Sequence, residues 1–225
     1  MLHAPGRRDP GRPASLRGAT LLVAAGTALA ITAGCAGGPA RVTAPRIDAS
    51  WAASAAIRLC DRDGNGTVSP SEAVASPGLA AAFERIDTDQ DKSLSATEIA
   101  ARIADWANHG VGIVAQPVQI TWNGKPLAGG RVELVPEPYL NRWLKPAGSA
   151  IAPNGMCRPS LPPEDLPQGL RTGMHCGLYT VRITHPTLKV PARYNEQSIL
   201  GIEMRPDQDP FDPSRLALEA SAADR

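Results

Sequence analysis

Aromatic residues are scarce, at 4% of the 225 positions, and only two are phenylalanine. Excess charge of either sign is also missing. The formal net charge is +1, which gives no electrostatic reason to expect nucleic acid as a partner. Histidine is rare too: His3, His109, His175 and His185 form neither HxxE nor HExxH, so no zinc-peptidase pattern is present. No nucleophile–base arrangement is visible, and an enzyme is not expected. The apolar run ATLLVAAGTALAITAG, of about 16 residues, is short for a membrane-spanning helix of about 20. What remains is 43% hydrophobic and 20% charged, the make-up of a soluble globular chain with one or two domains. Its 22 prolines and 21 glycines call for extensive loops and turns.

The order of residues at the start is informative. Arg7, Arg8, Arg12 and Arg17 stand against Asp9, then comes the apolar run, then small residues and Cys35. A charged, an apolar and a small-residue region in that order make a secretory signal. Its end, ITAGC, resembles a bacterial lipobox, with Thr32 where leucine is commoner. The resemblance implies cleavage after residue 34, lipidation of Cys35 and anchoring to the membrane of a bacterial envelope. Residues 35–50, small and bearing Pro and Gly, read as a tether.

Two stretches share one frame. DRDGNGTVSPSE (61–72) and DTDQDKSLSATE (87–98) carry acids or amides at positions one, three and five and glutamate at twelve. Calcium is a hard ion that takes six to eight oxygens. A twelve-residue loop wraps it when ligands fall at positions 1, 3, 5, 7, 9 and 12. These are Asp61, Asp63, Asn65, Thr67 (through its carbonyl), Ser69 and Glu72 in the first stretch. In the second they are Asp87, Asp89, Asp91, Ser93, Ser95 and Glu98. Gly66 holds the sixth position of the first loop and Lys92 that of the second. A non-glycine residue in left-handed backbone costs about 1 kcal/mol. Ser69-Pro70-Ser71-Glu72 and Ser95-Ala96-Thr97-Glu98 are also good helix starts. Capping explains the serines and glutamates, but not the repeated alternation of acids upstream.

The flanks agree with helices. Ile57 and Cys60, then Phe83 and Ile86, lie three apart, and Ile99, Ile103 and Trp106 make an apolar stripe. Position eight is apolar in both loops, Val68 and Leu94. Residues 51–110 thus resemble the EF-hand family. The resemblance implies a pair of calcium loops, with the position-eight residues in a short β contact.

After Gly110 the apolar period becomes two. VQITW, RVELV, YTVRI, LGIEM and RLALE alternate in the manner of strands, and Asn123-Gly124 is a turn signal. The phrases WNGKPLAGGRVELVPE and GLYTVRITHP resemble the transthyretin-like or carboxypeptidase-regulatory-like β-sandwich. Such domains recur in bacterial, notably planctomycete, lipoproteins. The expected fold class is α+β multidomain: a small all-α EF-hand pair, then an antiparallel, Ig-like β-sandwich over 111–219, and a disordered tail over 220–225. Between RVELV and YTVRI lies a Pro-rich insertion, 138–176, with YLNRWL as a possible helical turn and a further strand around 150–153. Cys157 and Cys176 bound its second half. Disulfides persist in exported proteins. With Cys35 lipidated and Cys60 facing the EF-hand core, Cys157 and Cys176 form the natural pair.

The expectation is a non-catalytic, calcium-binding envelope lipoprotein with a structural or interaction role and an envelope protein partner. The alternatives are a dockerin-like, calcium-dependent partner-binding module and an accessory subunit of an envelope hydrolase.

Overall fold

A computed structural model describes residues 42–220, all within one compact unit, Pro39–Arg225. The expected signal segment, Cys35, the tether up to residue 41 and tail residues 221–225 lie outside the described residues. The structure has mixed α and β elements: four short helices, then two four-stranded sheets. Among the described residues no helix is long and apolar enough to cross a membrane.

Helix α1 (Ala49–Cys60) begins two residues before the expected boundary. The Asp48 side chain caps it by accepting the Trp51 N–H at 2.9 Å. Its buried face is Ala52, Ala53, Ala56 and Cys60, while Ile57 is only half-buried. Small residues on that face let α1 lie close to α4. Helix α2 (Pro70–Ala73) is a single turn, and α3 (Pro77–Ile86) follows at once, started by Pro77 in its first turn. Helix α4 (Ala96–Asn108) buries Ile99, Ile103 and Trp106, the stripe that the spacing predicts.

All five alternating runs are strands. In the first sheet β1 (Val118–Trp122) pairs antiparallel with β2 (Lys125–Pro126) and, further along, with β5 (Met156–Cys157). The β1–β2 turn is Asn123-Gly124, with φ 48° and 76°. That left-handed pair gives a two-residue hairpin its right-handed twist. In the second sheet the order is β4 (Ala147–Ala150), β3 (Arg131–Pro136), β6 (Gly177–Thr184), β7 (Gly201–Met204), all antiparallel. One pair departs from the antiparallel expectation: β8 (Ser214–Leu218) runs parallel to β1 along its length. Parallel neighbours need a crossover connection, and here β8 returns from β7 in the other sheet.

The Pro-rich insertion is more ordered than its composition predicts. It supplies an edge strand to each sheet, β4 and β5, and bridges Gly148 to Ser160 and Val114 to Met174. The further strand ends at Ala150, where the sequence reading begins it. YLNRWL forms consecutive turns, with the Trp143 and Leu144 N–H groups both bonded to the Leu140 carbonyl at 3.0 Å.

The expected Cys157–Cys176 disulfide is a correction: both are free, buried thiols. Cys157 lies on β5 in the first sheet, its Sγ donating to the Val118 carbonyl at 3.5 Å. Cys176 immediately precedes β6 of the second sheet, in surroundings that include Glu203, Asp207 and Arg102. The insertion carries Cys157 into the first sheet and then returns to the second at Cys176, so sharing one segment does not bring the sulfurs together.

Buried side chains from the helices and both sheets join in one core. Leu79, Ile86, Ile99 and Ile103 on the helical side meet a sheet side that includes Leu134, Leu178, Tyr179 and Met204. Each large apolar side chain so buried contributes about 1.5–3 kcal/mol relative to exposure. Contact is close at Gly78. A Cβ there would stand 2.7 Å from the Tyr179 nitrogen and 3.0 Å from the Leu178 carbonyl carbon.

Candidate metal centre

The first acidic stretch leaves α1 at Asp61 and enters α2 at Pro70. Its backbone folds around its own side chains. Asp61 accepts the N–H groups of Gly64 and Gly66 at 2.8 and 2.9 Å. Asp63 accepts that of Asn65 at 3.1 Å, and Asn65 Oδ1 that of Thr67 at 2.8 Å. Glu72 reaches back across the loop, accepting from Arg62 N–H at 2.8 Å and from Ser69 N–H and hydroxyl at 2.9 and 2.7 Å. Those bonds, the Ser69 N–H first, stabilise the carboxylate and hold its pKa down to about 2. It is therefore ionised at any physiological pH.

The second stretch, between α3 and α4, repeats the frame. Asp87 accepts the Lys92 N–H at 3.1 Å, Asp89 that of Asp91 at 3.2 Å, and Asp91 that of Ser93 at 2.8 Å. Glu98 accepts from Thr88 N–H at 3.0 Å and from Ser95 N–H and hydroxyl, both at 2.9 Å. Burial opposes its ionisation, but the Ser95 and Thr88 bonds outweigh burial and hold it below the usual carboxylate range. Lys92 has φ 66°, the left-handed backbone that Gly66 adopts at φ 88°. Position four repeats the match, Gln90 at φ 61° and Gly64 at φ 77°.

The two loops are joined through position eight. Val68 and Leu94, both fully buried, exchange backbone hydrogen bonds at 2.9 Å in an antiparallel bridge.

Two clusters of carboxylates result, each with ligand oxygens within 4.8 Å of one another: Asp61, Asp63 and Glu72, and Asp87, Asp89 and Asp91. Either could hold a metal ion. Glu72 belongs to the first cluster, whereas the second consists of its three aspartates, with Glu98 engaged by Thr88 and Ser95. The fit is tested most sharply at Asp87. Its residue is 9% exposed, and its Oδ1 is buried with no hydrogen-bond partner. A buried charged oxygen without a partner costs about 1–3 kcal/mol or more. An all-oxygen, carboxylate-rich donor set suits a hard cation.

The structure also assembles carboxylates that the sequence reading left aside. Glu203, on β7, is 3% exposed and accepts from Arg85 Nε at 2.8 Å, Arg102 Nε at 2.6 Å and Trp106 Nε1 at 3.0 Å. Glu137, just after β3, is 1% exposed and accepts the Gly78 N–H at 2.6 Å and the Thr180 hydroxyl at 3.0 Å. Burial pushes its pKa up, against the Gly78, Ser76 and Thr180 bonds. Both tie helices to the second sheet.

No protein-family model matches this sequence, and neither curated proteins nor solved structures gave a match. The functional reading therefore stands on the residues and their geometry.

Proposed function

We propose that this chain is a non-catalytic calcium-binding protein of the bacterial cell envelope, with a structural or interaction role. The unpartnered, buried Asp87 Oδ1 beside Asp89 and Asp91 carries the reading, because a divalent cation supplies the charge that this oxygen lacks. In the EF-hand-type arrangement, Asp61, Asp63, Asn65, the Thr67 carbonyl, Ser69 and Glu72 hold one ion. Asp87, Asp89, Asp91, Ser93, Ser95 and Glu98 hold the other. Calcium neutralises carboxylates that repel one another when brought together. Its role here is constitutive, because extracellular modules with affinities of about 10⁻⁴–10⁻³ M are filled by external calcium. The two sheets that follow are read as a transthyretin-like β-sandwich serving as a non-catalytic accessory module. Export and lipidation at Cys35 rest on the order of residues 7–35.

Thermal unfolding of the purified chain in calcium, in magnesium and in chelator tests the reading. At a hundredfold excess over Kd, an ion that binds only the folded state stabilises it by about 2.7 kcal/mol per site. For a domain of this size that is a rise in Tm of about 5–10 °C. Identical melting in millimolar calcium and in chelator would leave both stretches as capped helix starts.

A further inference from the structure

The second acidic loop is framed by two arginines that share one carboxylate. Arg85 precedes Asp87 by two residues, in the last turn of α3, and Arg102 follows Glu98 by four, in the second turn of α4. Their Nε atoms donate to the two different oxygens of Glu203, Arg85 to Oε2 at 2.8 Å and Arg102 to Oε1 at 2.6 Å. Trp106, one turn further along α4, donates to Oε1 at 3.0 Å. The Glu203 side chain is fully buried. Its partners lie on the helices of the second loop and not on α1 or α2.

The geometry points to Glu203 as a positioning residue for the second loop. Fixed on β7, its carboxylate holds the end of α3 and the start of α4 at the separation that brings Asp87, Asp89 and Asp91 together. The inference rests on the reading of that loop as a cation site. In a twelve-residue loop the end-to-end span is set by the two flanking helices. Calcium sensors change the angle between such helices when they open. Here, moving either helix away from β7 would strand a buried carboxylate or a partly buried arginine, which is strongly unfavourable. The sheet thus keeps the second loop preorganised despite its left-handed Lys92. Linkage makes the effect mutual, so an ion in that loop also strengthens the docking of α3 and α4 on β7.

The test reads the two loops separately. The Gly66 N–H bonds to Asp61 Oδ2 at 2.9 Å and the Lys92 N–H to Asp87 Oδ2 at 3.1 Å. These two amide resonances therefore report one loop each when the ¹⁵N-labelled full chain is titrated with calcium chloride. Glu203→Gln keeps the shape but removes the charge and one acceptor. Loss of a group that orients metal ligands costs about 10–100-fold in affinity. The Lys92 curve should move about tenfold or more to higher calcium, with the Gly66 curve unchanged. An unmoved Lys92 curve, or equal weakening of both, overturns the inference. Should Glu203→Gln fail to fold, Arg85→Gln cuts only the link to α3, through a side chain 41% exposed, and the same split is expected. A parent-like Lys92 curve in that variant is equally fatal. Failure of the underlying reading looks different: the Lys92 amide of the parent itself would ignore calcium.

Discussion

Replacing Gly78 by alanine probes one close contact between helices and sheet. The new Cβ would meet the Tyr179 nitrogen at 2.7 Å, Glu137 Oε1 at 2.9 Å and the Leu178 carbonyl carbon at 3.0 Å. Two of those atoms are backbone of β6 and cannot rotate aside. Ordinary contact lies at about 3.5–4.0 Å, so α3 must lift by somewhat under about 1 Å. Overpacking of this kind costs about 1–3 kcal/mol. The lift also loosens the 2.6 Å bond from Gly78 N–H to Glu137. Leaving that buried carboxylate short of a donor costs about 1–3 kcal/mol more. Against both stands the gain in helix propensity, up to about 1 kcal/mol. The net loss is about 1–5 kcal/mol, centred near about 3, which for a domain of this size lowers Tm by about 6–12 °C. Circular dichroism melting of parent and variant, both in saturating calcium, measures it. A variant as stable as the parent, or more so, would show that propensity wins and that α3 does not press on β6.

Three further outcomes are expected. Lys92→Gly should relieve left-handed strain and stabilise the chain by about 1 kcal/mol, read from denaturant midpoints in chelator; a loss of stability would contradict the backbone assigned to Lys92. Glu137 has a raised pKa when folded, so between its ordinary value near about 4.3 and that higher value the native state binds more protons. Stability from this group is then full below the ordinary value and lost as pH rises through the raised one. Glu137→Gln should flatten that decline in a Tm-versus-pH series, and an unchanged slope would argue against the burial. Burial pushes the Cys157 thiol to about 11 and that of Cys176 to about 12. Both should resist a thiol reagent until the chain is unfolded, and a linked Cys157–Cys176 peptide in an unreduced digest would refute the free thiols.

Much of the fold is legible where one face of an element is wet. The runs at β1, β3, β6, β7 and β8 alternate, and α4 carries Ile99, Ile103 and Trp106 at helical spacing. Legibility fails where both faces are covered. In LGIEM, period two puts Glu203 on the opposite face from Ile202 and Met204, and so in water. In the structure α3 and α4 pass over that face, and all three residues are buried. The clamp on Arg85 and Arg102 is a tertiary event of which the sequence carries no local sign. Glu137 is hidden in the same way behind a proline. The face of α1 is mostly alanine, too small to stand out as an apolar stripe, so Ile57 drew the reading instead. Strands β4 and β5 are short and sit among prolines and glycines, where propensity argues against them and pairing with β3 and β1 decides. The shared frame of the acidic loops is legible because it is fixed by local spacing. The two loops match in backbone at the fourth and sixth positions and meet at the Val68–Leu94 bridge.

The central claim is that two loops each take a calcium ion. Calorimetric titration of the purified chain with calcium, beside its Glu72→Gln and Glu98→Gln variants, measures this directly. Each substitution removes charge from position twelve while leaving an oxygen to cap the helix. The account expects two binding events in the parent and one in each variant at the same calcium range. No heat in the parent at millimolar calcium, or identical titrations in all three proteins, would contradict it.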